Sequence, residues 1–389
     1  MKIFIAAYCF FLLSFFTMTQ CAWAQNSIDS VEYKKVTSNN YRSYLLRDHK
    51  LYTITMNSDI LVWDLNTLDT LATIRRDSSF FYDALAADCN NNVYAATSSG
   101  LIVRIQPDFS LQQVYKHKYW IHEFCFNSNN ELFLADYKGV FSTNTKRYWK
   151  RFTHHAKGVN LYRHFYFLKF RLKKYFSIPY ISYLDQHDRW WMIGCYGEFG
   201  GEVEVFDTKH RKIMDQELND LGPGSLSPQS VFEDSNGNVF ITSGLQHLKG
   251  FGCIYKISSD YNITEIVNSA DFEQEALTTI SIDSNGTIEV IGCIGNELVI
   301  DAGAWNTAEN KLYFYSNHGF YSCTVPDTGL VNELTLVASP LIQWHPDKPG
   351  AEPEVSMRAM EFLPDNRLLF MTDAHGFGLY DGKKFVMFR

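Results

Sequence analysis

Residues 88–105 read DCNNNVYAATSSGLIVRI and set the pattern for the chain. A polar turn of Asp and Asn residues is followed by an alternating strand at 93–97, a short gap that ends in Gly100, and a second alternating strand at 101–105. Asn and Gly accept the positive φ that tight turns require, and β-branched and aromatic residues suit strands. The segment therefore predicts a turn followed by two paired strands.

This order of turn, strand, gap and strand recurs along the chain. The strand after the turn starts near Leu51, Val93, Leu132, Trp190, Val239, Ile288, Leu312 and Leu368. The second strand starts near Ile60, Leu101, Val140, Val203, Phe251, Leu298, Phe320 and Phe377. An apolar segment usually precedes each turn, as at 230–233, and another follows the second strand, as at 263–267. Four strands per unit are typical of a β-propeller blade.

We therefore predict an all-β protein, a β-propeller with blades of four antiparallel strands. Helical periodicity, which a parallel α/β fold would need between its strands, is absent over most of the sequence. From Leu51 to Leu368 the repeat length is about 53 residues for seven blades and about 45 for eight. Ile288 and Leu312 lie too close together for two four-stranded blades, so we merge their units into one irregular blade. Seven blades are favoured, and eight are the alternative.

Two stretches carry a family resemblance: DSNGNVFIT at 234–242 and NNVYAATSSGL at 91–101. They resemble the repeats of bacterial exported β-propeller proteins, of the two-component-regulator-propeller or NHL-like kind. The likeness covers nearly all of the chain after residue 24, and it implies the fold alone. The chain departs from the family pattern because most units lack the Trp usually found in the inner strand.

The first 24 residues are typical of a secretory signal peptide. Lys2 supplies a positive end, residues 3–16 are almost wholly apolar, and Ala22-Trp23-Ala24 offers a cleavage site. We expect residues 25–389 to form a single exported propeller domain, located in the periplasm, on the cell surface or outside the cell. A retained membrane anchor is the alternative. No later apolar run is long enough to predict a transmembrane segment in the mature chain.

Charge and cysteine content exclude some classes of function. The chain has 35 Lys and Arg against 43 Asp and Glu, a net charge of −8, which argues against general nucleic-acid binding. The cysteines beyond residue 24 form no CxxC motif, and each lies in or beside an apolar strand pattern. Buried free thiols are therefore favoured over disulfides.

Loops on one face of a propeller surround its central channel, and they supply the candidate binding residues. Gaps between second and third strands contribute Asp136, Glu198, His247, His318, Asp373 and His375. Connections between blades contribute Asp83, His122, Glu123 and Arg358. His and carboxylate side chains that converge could hold a divalent metal such as calcium, or act as acids and bases. The alternative is that these polar residues only contact solvent at the tips of the loops. This alternative is favoured, because no catalytic motif is present.

A basic, aromatic insertion at about 154–180 is the second candidate surface. From Tyr137 to Leu184 the chain carries many Lys and Arg residues and no Asp or Glu. The cations of the candidate patch for an anionic partner are Arg163, Lys169, Arg171, Lys173 and Lys174. Such a surface suits an acidic polysaccharide, lipid headgroups or an acidic protein. The alternative is an extra strand or helix whose Lys and Arg heads reach solvent.

These patterns favour a secreted binding or interaction module whose ligand is unknown, with a protein or a polysaccharide as the kind of partner. The alternative is a metal-dependent hydrolase or a lactonase-like enzyme with its site at the central channel. No cofactor is evident from the sequence, no catalytic residue can be assigned, and the balance leans away from an enzyme.

Overall fold

The computed structural model describes residues 30–38, 40–149, 179–195, 201–214, 227–246, 250–272, 277–282, 288–294, 298–338 and 356–388. The predicted signal peptide, Glu198, His247 and the five cations of the anionic-partner patch lie outside these residues. The regular structure of the described residues consists of β-strands and one short 3₁₀ helix at Ser269–Asp271.

Seven four-stranded antiparallel units follow one another along the chain, and each is a blade. The first strand, β1 (Ser30–Lys34), precedes them. Blade 1 consists of β2 (Tyr41–Arg47), β3 (Lys50–Thr55), β4 (Ile60–Asp64) and β5 (Asp69–Ile74). Blade 2 consists of β6 (Tyr82–Ala87), β7 (Val93–Thr97), β8 (Leu101–Ile105) and β9 (Leu111–Lys116). Blade 3 consists of β10 (Glu123–Phe126), β11 (Leu132–Asp136), β12 (Gly139–Ser142) and β13 (Tyr148–Trp149).

The same strand order continues through the second half of the chain. Blade 4 consists of β14 (Ile181–Leu184), β15 (Arg189–Cys195), β16 (Gly201–Asp207) and β17 (Lys212–Ile213). Blade 5 consists of β18 (Pro228–Glu233), β19 (Val239–Gln246), β20 (Gly250–Ile257) and β21 (Ile263–Asn268). A two-stranded hairpin, β22 (Leu277–Ile282) and β23 (Ile288–Ile294), follows.

Two further blades complete the ring. Blade 6 consists of β24 (Ile300–Asn306), β25 (Lys311–Ser316), β26 (Gly319–Cys323) and β27 (Thr335–Ala338). Blade 7 consists of β28 (Met357–Phe362), β29 (Leu368–Thr372), β30 (Phe377–Tyr380) and β31 (Lys384–Phe388). The structure therefore confirms the predicted fold, a seven-bladed propeller with four antiparallel strands per blade.

The number of blades is as predicted, but the strands that form blade 6 differ from the prediction. We assigned the units at Ile288 and Leu312 to one irregular blade, with a second strand at Leu298. In the structure Ile288 belongs to the β22–β23 hairpin, Leu312 belongs to β25, and Leu298 precedes the innermost strand of blade 6. Blades 5 and 6 pack directly on each other, which leaves no place between them for an eighth blade.

The last blade is joined to the start of the chain by backbone pairing. β1 lies parallel to β31 and forms the fifth strand of blade 7, with Ser30 opposite Lys384 and Lys34 opposite Phe388. The chain then passes into β2, the innermost strand of blade 1. The two ends of the described chain therefore close the ring, and the outer edge of blade 7 is covered.

The hydrophobic core lies between the blades. Each of seven clusters of buried side chains joins two neighbouring blades, for example Ile54 and Val62 of blade 1 with Leu85 and Val93 of blade 2. Large aromatic side chains fill these layers, and burying each one stabilises the fold by about 2 to 3 kcal/mol. Each blade is therefore held by both of its neighbours.

The polar turn that defines the repeat is stabilised by its first side chain. In blade 5, Asp234 Oδ1 accepts hydrogen bonds from the backbone N–H groups of Asn236 and Asn238, each at 2.9 Å. Asp88 does the same for Asn90 and Asn92 in blade 2, also at 2.9 Å. An Asp at this place satisfies two backbone donors that the tight turn leaves unpaired.

Positive φ occurs where the sequence pattern requires it. The fourth turn residue has φ of 61° at Asn91 and 79° at Gly237. Gly100, at the end of the gap in blade 2, has φ of 80°, and a Cβ there would lie 2.6 Å from the carbonyl oxygens of His117 and Tyr119. Glycine is required at this gap by both conformation and space.

Five cysteines of the described residues are free thiols: Cys89, Cys125, Cys195, Cys253 and Cys323. Cys125, Cys253 and Cys323 are buried, as the sequence predicted, and Cys195 is half-buried. Cys89 is exposed, because the second residue of a polar turn points away from the sheet.

Replacing Asp234 with Ala should lower the free energy of unfolding by ~2 kcal/mol, because two backbone donors lose their acceptor. Asp234→Asn keeps the Oδ1 acceptor and should retain most of the stability. Ser235→Ala, at the exposed next residue, is the matched control. Equal urea midpoints for Asp234→Ala and Ser235→Ala would show that the turn does not depend on this carboxylate.

Candidate functional site

The innermost strands of the seven blades surround a central cavity of about 640 Å³. Its lining includes residues from all seven of these strands, among them Arg42, Glu123, Gln229 and Arg358. The connections from one blade to the next and from second to third strands lie at the end where the innermost strands begin, because neighbouring strands are antiparallel. We call this end of the cavity the channel mouth.

Every innermost strand begins with the same irregularity at the channel mouth. In five blades the pairing with the second strand shifts register there, so an extra residue is inserted. In blades 3 and 4 the backbone N–H groups of His122 and Tyr180 donate hydrogen bonds to Ala135 O (3.0 Å) and Ile193 O (2.7 Å). Ala135 and Ile193 of the second strands also pair with the next residues of the innermost strands, so two residues lie opposite one. These β-bulges re-aim one side chain per blade. The seven residues, which we call the mouth ring, are Arg42, Asp83, His122, Tyr180, Gln229, Asp301 and Arg358.

A buried residue precedes each member of the mouth ring and anchors it. These anchors are Tyr41, Tyr82, Ile121, Pro179, Pro228, Ile300 and Met357. The bulge follows directly after the anchor, so a polar or aromatic side chain is presented at the mouth although its neighbour belongs to the core. The mouth ring is therefore a product of the blade architecture and is held by the core.

Hydrogen bonds connect the mouth ring across the junction of blades 6, 7 and 1. Asp301 Oδ2 accepts from the backbone N–H of Met357 at 2.8 Å. Arg358 donates from Nη1 to Tyr41 O and from Nη2 to Arg42 O, both at 2.6 Å. The Arg358 guanidinium is therefore fixed across the gap between the last blade and the first.

Ionic and hydrogen bonds continue the chain of contacts to blade 3. Arg42 Nη1 lies 3.7 Å from Asp83 Oδ1. The other oxygen, Asp83 Oδ2, accepts a hydrogen bond from Trp120 Nε1 at 2.8 Å. The indole of Trp120 lies 5.0 Å from the imidazole of His122, measured between ring centroids. One side of the mouth thus combines a charge pair with two aromatic rings.

Burial changes the acidity of the carboxyl groups at the mouth. Burial raises the pKa of Glu123 to about 8, while the Arg358 guanidinium lowers it and the Asp83 carboxylate raises it further. Burial also raises the pKa of Asp301 to about 7, against the hydrogen bond from Met357, and Asp373 adds to the increase. Near neutral pH these carboxyls can donate as well as accept hydrogen bonds.

Exposed apolar side chains concentrate at the same end of the molecule. Of nine large apolar side chains that are exposed among the described residues, five lie in the connections that form the channel mouth. These five are Met56, Phe81, Trp120, Tyr137 and Tyr180. Trp120 is 48% exposed and Tyr180 is 46% exposed. Exposed apolar side chains beside polar ones are typical of interaction surfaces in other proteins.

The four candidates from blade connections, Asp83, His122, Glu123 and Arg358, all lie at the mouth. Three of them belong to the mouth ring, and Glu123 is the next residue after His122. Burial lowers the pKa of His122, against the attraction of Asp136, and burial raises the pKa of Asp83. The sequence thus predicted that these four residues lie at the same end of the propeller, and their role in binding stays a prediction.

Two candidates from the strand gaps are buried instead of lining the mouth. Asp136 is fully buried, where its Oδ2 is bound by His117 Nε2 at 2.8 Å and by the Tyr148 hydroxyl at 2.6 Å. His318 is 4% exposed. Asp136 is the last residue of β11 and His318 directly precedes β26, so both side chains are buried with the strands instead of projecting from a loop.

The other gap candidates have mixed outcomes. Asp373 and His375 are half-buried in the β29–β30 connection at the mouth. The Asp373 carboxylate is close enough to affect the pKa of Asp301 and of Tyr180. Glu198 and His247 lie outside the described residues.

Sequence reasoning missed five residues, which are Arg42, Trp120, Tyr180, Gln229 and Asp301. Four of these directly follow a buried anchor at the start of an innermost strand, so the signal was an apolar residue and then a polar or aromatic one at the head of each repeat. Trp120 carries no such signal. Its role depends on the hydrogen bond to Asp83, which is 37 residues away.

The basic, aromatic insertion is described only at its borders. Trp149, in the outer strand of blade 3, pairs with Val140 at the start of β12, which lies at the mouth end. Pro179 is buried just before Tyr180 of the mouth ring. The residues that flank the insertion therefore lie on the channel-mouth side.

In the described part of the chain, no three His, Cys, Asp or Glu side chains meet in an arrangement that could hold a metal ion. Calcium binding and the hydrolase alternative that depends on it stay predictions. A search of the same residues finds no helix long and apolar enough to cross a membrane.

Comparisons with known proteins support the fold. No protein-family model matches the chain, and no curated protein matches its sequence. Virginiamycin B lyase from Staphylococcus aureus, solved as a catalytically inactive variant with quinupristin, has a TM-score of 0.51 and 10% identity, over 88% of this chain and 96% of that one. The extracellular domain of a protein described as a hybrid two-component system, from B. thetaiotaomicron, has a TM-score of 0.50 and 11% identity.

That second match covers 88% of this chain and 40% of the other. At such identities the likeness concerns the fold alone. It confirms the resemblance to β-propeller proteins that include the extracellular domain of a two-component system.

Glu123→Gln should make stability less dependent on pH. With a pKa of about 8 in the folded protein against an ordinary 4.5, Glu123 keeps a proton that the unfolded chain loses, so the wild-type protein loses stability as pH rises through this range. The variant should exceed wild type by ~1 kcal/mol or more at about pH 8.5 and match it near pH 4. Urea unfolding across this range measures the difference.

Glu333→Gln, at an exposed position after blade 6's third strand, is the control and should follow wild type at every pH. A Glu123→Gln variant that is no more stable than wild type at high pH would contradict the protonated state of Glu123.

Proposed function

We propose that this protein is a binding module whose ligand occupies the channel mouth. The observation that carries the proposal is the concentration there of five of the nine exposed large apolar side chains, around the polar mouth ring. Aromatic and Arg side chains contribute most of the energy at binding surfaces. The rigid blades hold these side chains in place before the ligand arrives, which reduces the entropy lost on binding.

The cavity extends along the innermost strands, from the mouth ring to the turns at the opposite end that carry Asp88 and Asp188. The cavity continues from the mouth along the innermost strands, so a projecting group of a larger ligand has room below the mouth ring. Tyr180 of blade 4 extends toward blade 7, since the Arg358 guanidinium carbon lies 5.8 Å from the centroid of its ring. A protein or a polysaccharide could present such a group.

We also propose that binding takes place after export. The support for this is the signal-like sequence of residues 1–24. The cationic patch from Arg163 to Lys174 stays a prediction for a second contact with an anionic partner.

A capture experiment tests the binding face. Wild-type protein, the mouth variant Phe81→Ala/Tyr180→Ala, and the edge variant Leu111→Ala/Val114→Ala are immobilised and exposed to extracts of the source cells. All four side chains are exposed, so both variants should fold. Retained proteins are identified by mass spectrometry and retained glycans by sugar analysis.

We expect one component to be retained by wild type and by the edge variant, and to fall about tenfold or more on the mouth variant. Equal retention by the mouth variant, or loss confined to the edge variant, would place the binding face elsewhere and refute the proposal.

A further inference from the structure

The exposed indole of Trp120 is held in one orientation by a side chain of the neighbouring blade. Trp120 lies in the connection between β9 and β10 and is 48% exposed. Its Nε1 donates to Asp83 Oδ2 at 2.8 Å, and its ring lies against His122 with 37° between the planes. A large aromatic ring that is oriented at one edge and left open to solvent offers contact area at little entropic cost.

The polar groups around this indole carry little net charge. Arg42 Nη1 pairs with Asp83 Oδ1 at 3.7 Å, so their charges offset each other. Burial lowers the pKa of His122 below its usual value, which favours the neutral imidazole. The set offers Arg42 N–H donors, Asp83 acceptors and an imidazole, without a charge that would select an ion.

Three consecutive blades build this arrangement. Arg42 belongs to β2, Asp83 to β6, and His122 is bulged at the start of β10. All three are members of the mouth ring, so their positions are fixed by backbone pairing in the core. The indole and its polar partners therefore form a built site on one side of the mouth.

We propose that this site binds a neutral saccharide unit. The C–H face of the sugar ring lies on the Trp120 indole, and its hydroxyl groups hydrogen-bond to Arg42, Asp83 and His122. A pyranose has one apolar face and a rim of hydroxyls, which matches an aromatic plane bordered by uncharged or paired polar groups. An aliphatic or aromatic peptide side chain would cover the indole but would offer no hydrogen-bond acceptor to the Arg42 guanidinium, whose side chain is 39% exposed. This inference rests on the proposed binding function and names its ligand class.

Binding to a glycan array, followed by calorimetry with the best neutral oligosaccharide, tests the proposal. Trp120→Ala should weaken binding by about tenfold or more, since a central Trp contributes much of the energy at a binding site. Trp120→Phe keeps a stacking surface but loses the bond to Asp83, so it should weaken binding by an intermediate factor. Leu111→Ala, on the outer strand of blade 2, should bind as wild type does. Melting temperatures confirm that each variant folds.

Three results would overturn the saccharide proposal: no neutral glycan on the array binds, binding is unchanged in Trp120→Ala, or only acidic glycans bind. The capture experiment separates this failure from that of the proposed function. A protein captured through Phe81 and Tyr180, together with a silent glycan array, would support the binding face and refute the saccharide ligand.

Discussion

The innermost strand of each blade pairs with a neighbour on one side only, and its start is bulged at the channel mouth. A β-bulge adds one residue to a strand without breaking the pairing beyond it. In this ring the added residue follows a buried anchor, so the core fixes its backbone while its side chain is available at the mouth. The repeated bulge therefore places seven side chains of five types in a ring at the mouth, which are Arg42, Asp83, His122, Tyr180, Gln229, Asp301 and Arg358.

The same residues help to close the ring of blades. Arg358 binds two carbonyl oxygens of blade 1, Asp301 binds the backbone of blade 7, and Arg42 pairs with Asp83 of blade 2. Elsewhere, Ser128 of blade 3 binds Asp188 of blade 4, and Gly303 of blade 6 binds Ser230 of blade 5. Polar bonds thus supplement the hydrophobic layers between blades. These contacts fix the side chains of Asp301, Arg358, Arg42 and Asp83 without a ligand.

Much of the fold could be predicted because its signals are local. Asp88 and Asp234 bind backbone donors two and four residues ahead, and Gly100 ends a gap of three residues, so turns and strands are visible in short windows of sequence. The β22–β23 hairpin was assigned to a blade because its strands follow the same local pattern. Whether a hairpin becomes part of the ring depends on how it packs against neighbouring blades. Contacts between blades cannot be recognised in a short stretch of sequence.

The site could be predicted only in part, because its contacts are distant in sequence. Trp120 is oriented by Asp83, and Arg358 binds Tyr41 from 317 residues away. A shift of one residue decides whether a side chain points to the core or to the mouth. Asp136 was a candidate by its position in a gap, yet it is buried against His117 because it is the last residue of its strand.

Hydroxyl-radical footprinting tests the central claim, that the channel mouth is the binding face, most directly. Met, Trp, Tyr and Phe side chains are oxidised when exposed, so Met56, Phe81, Trp120 and Tyr180 should be modified far more than the buried Trp190 and Trp191. Addition of the material that the protein captures should protect the four mouth residues and leave Leu111 and Val114 unchanged. Protection of Leu111 and Val114, with the mouth residues still oxidised, would contradict the account.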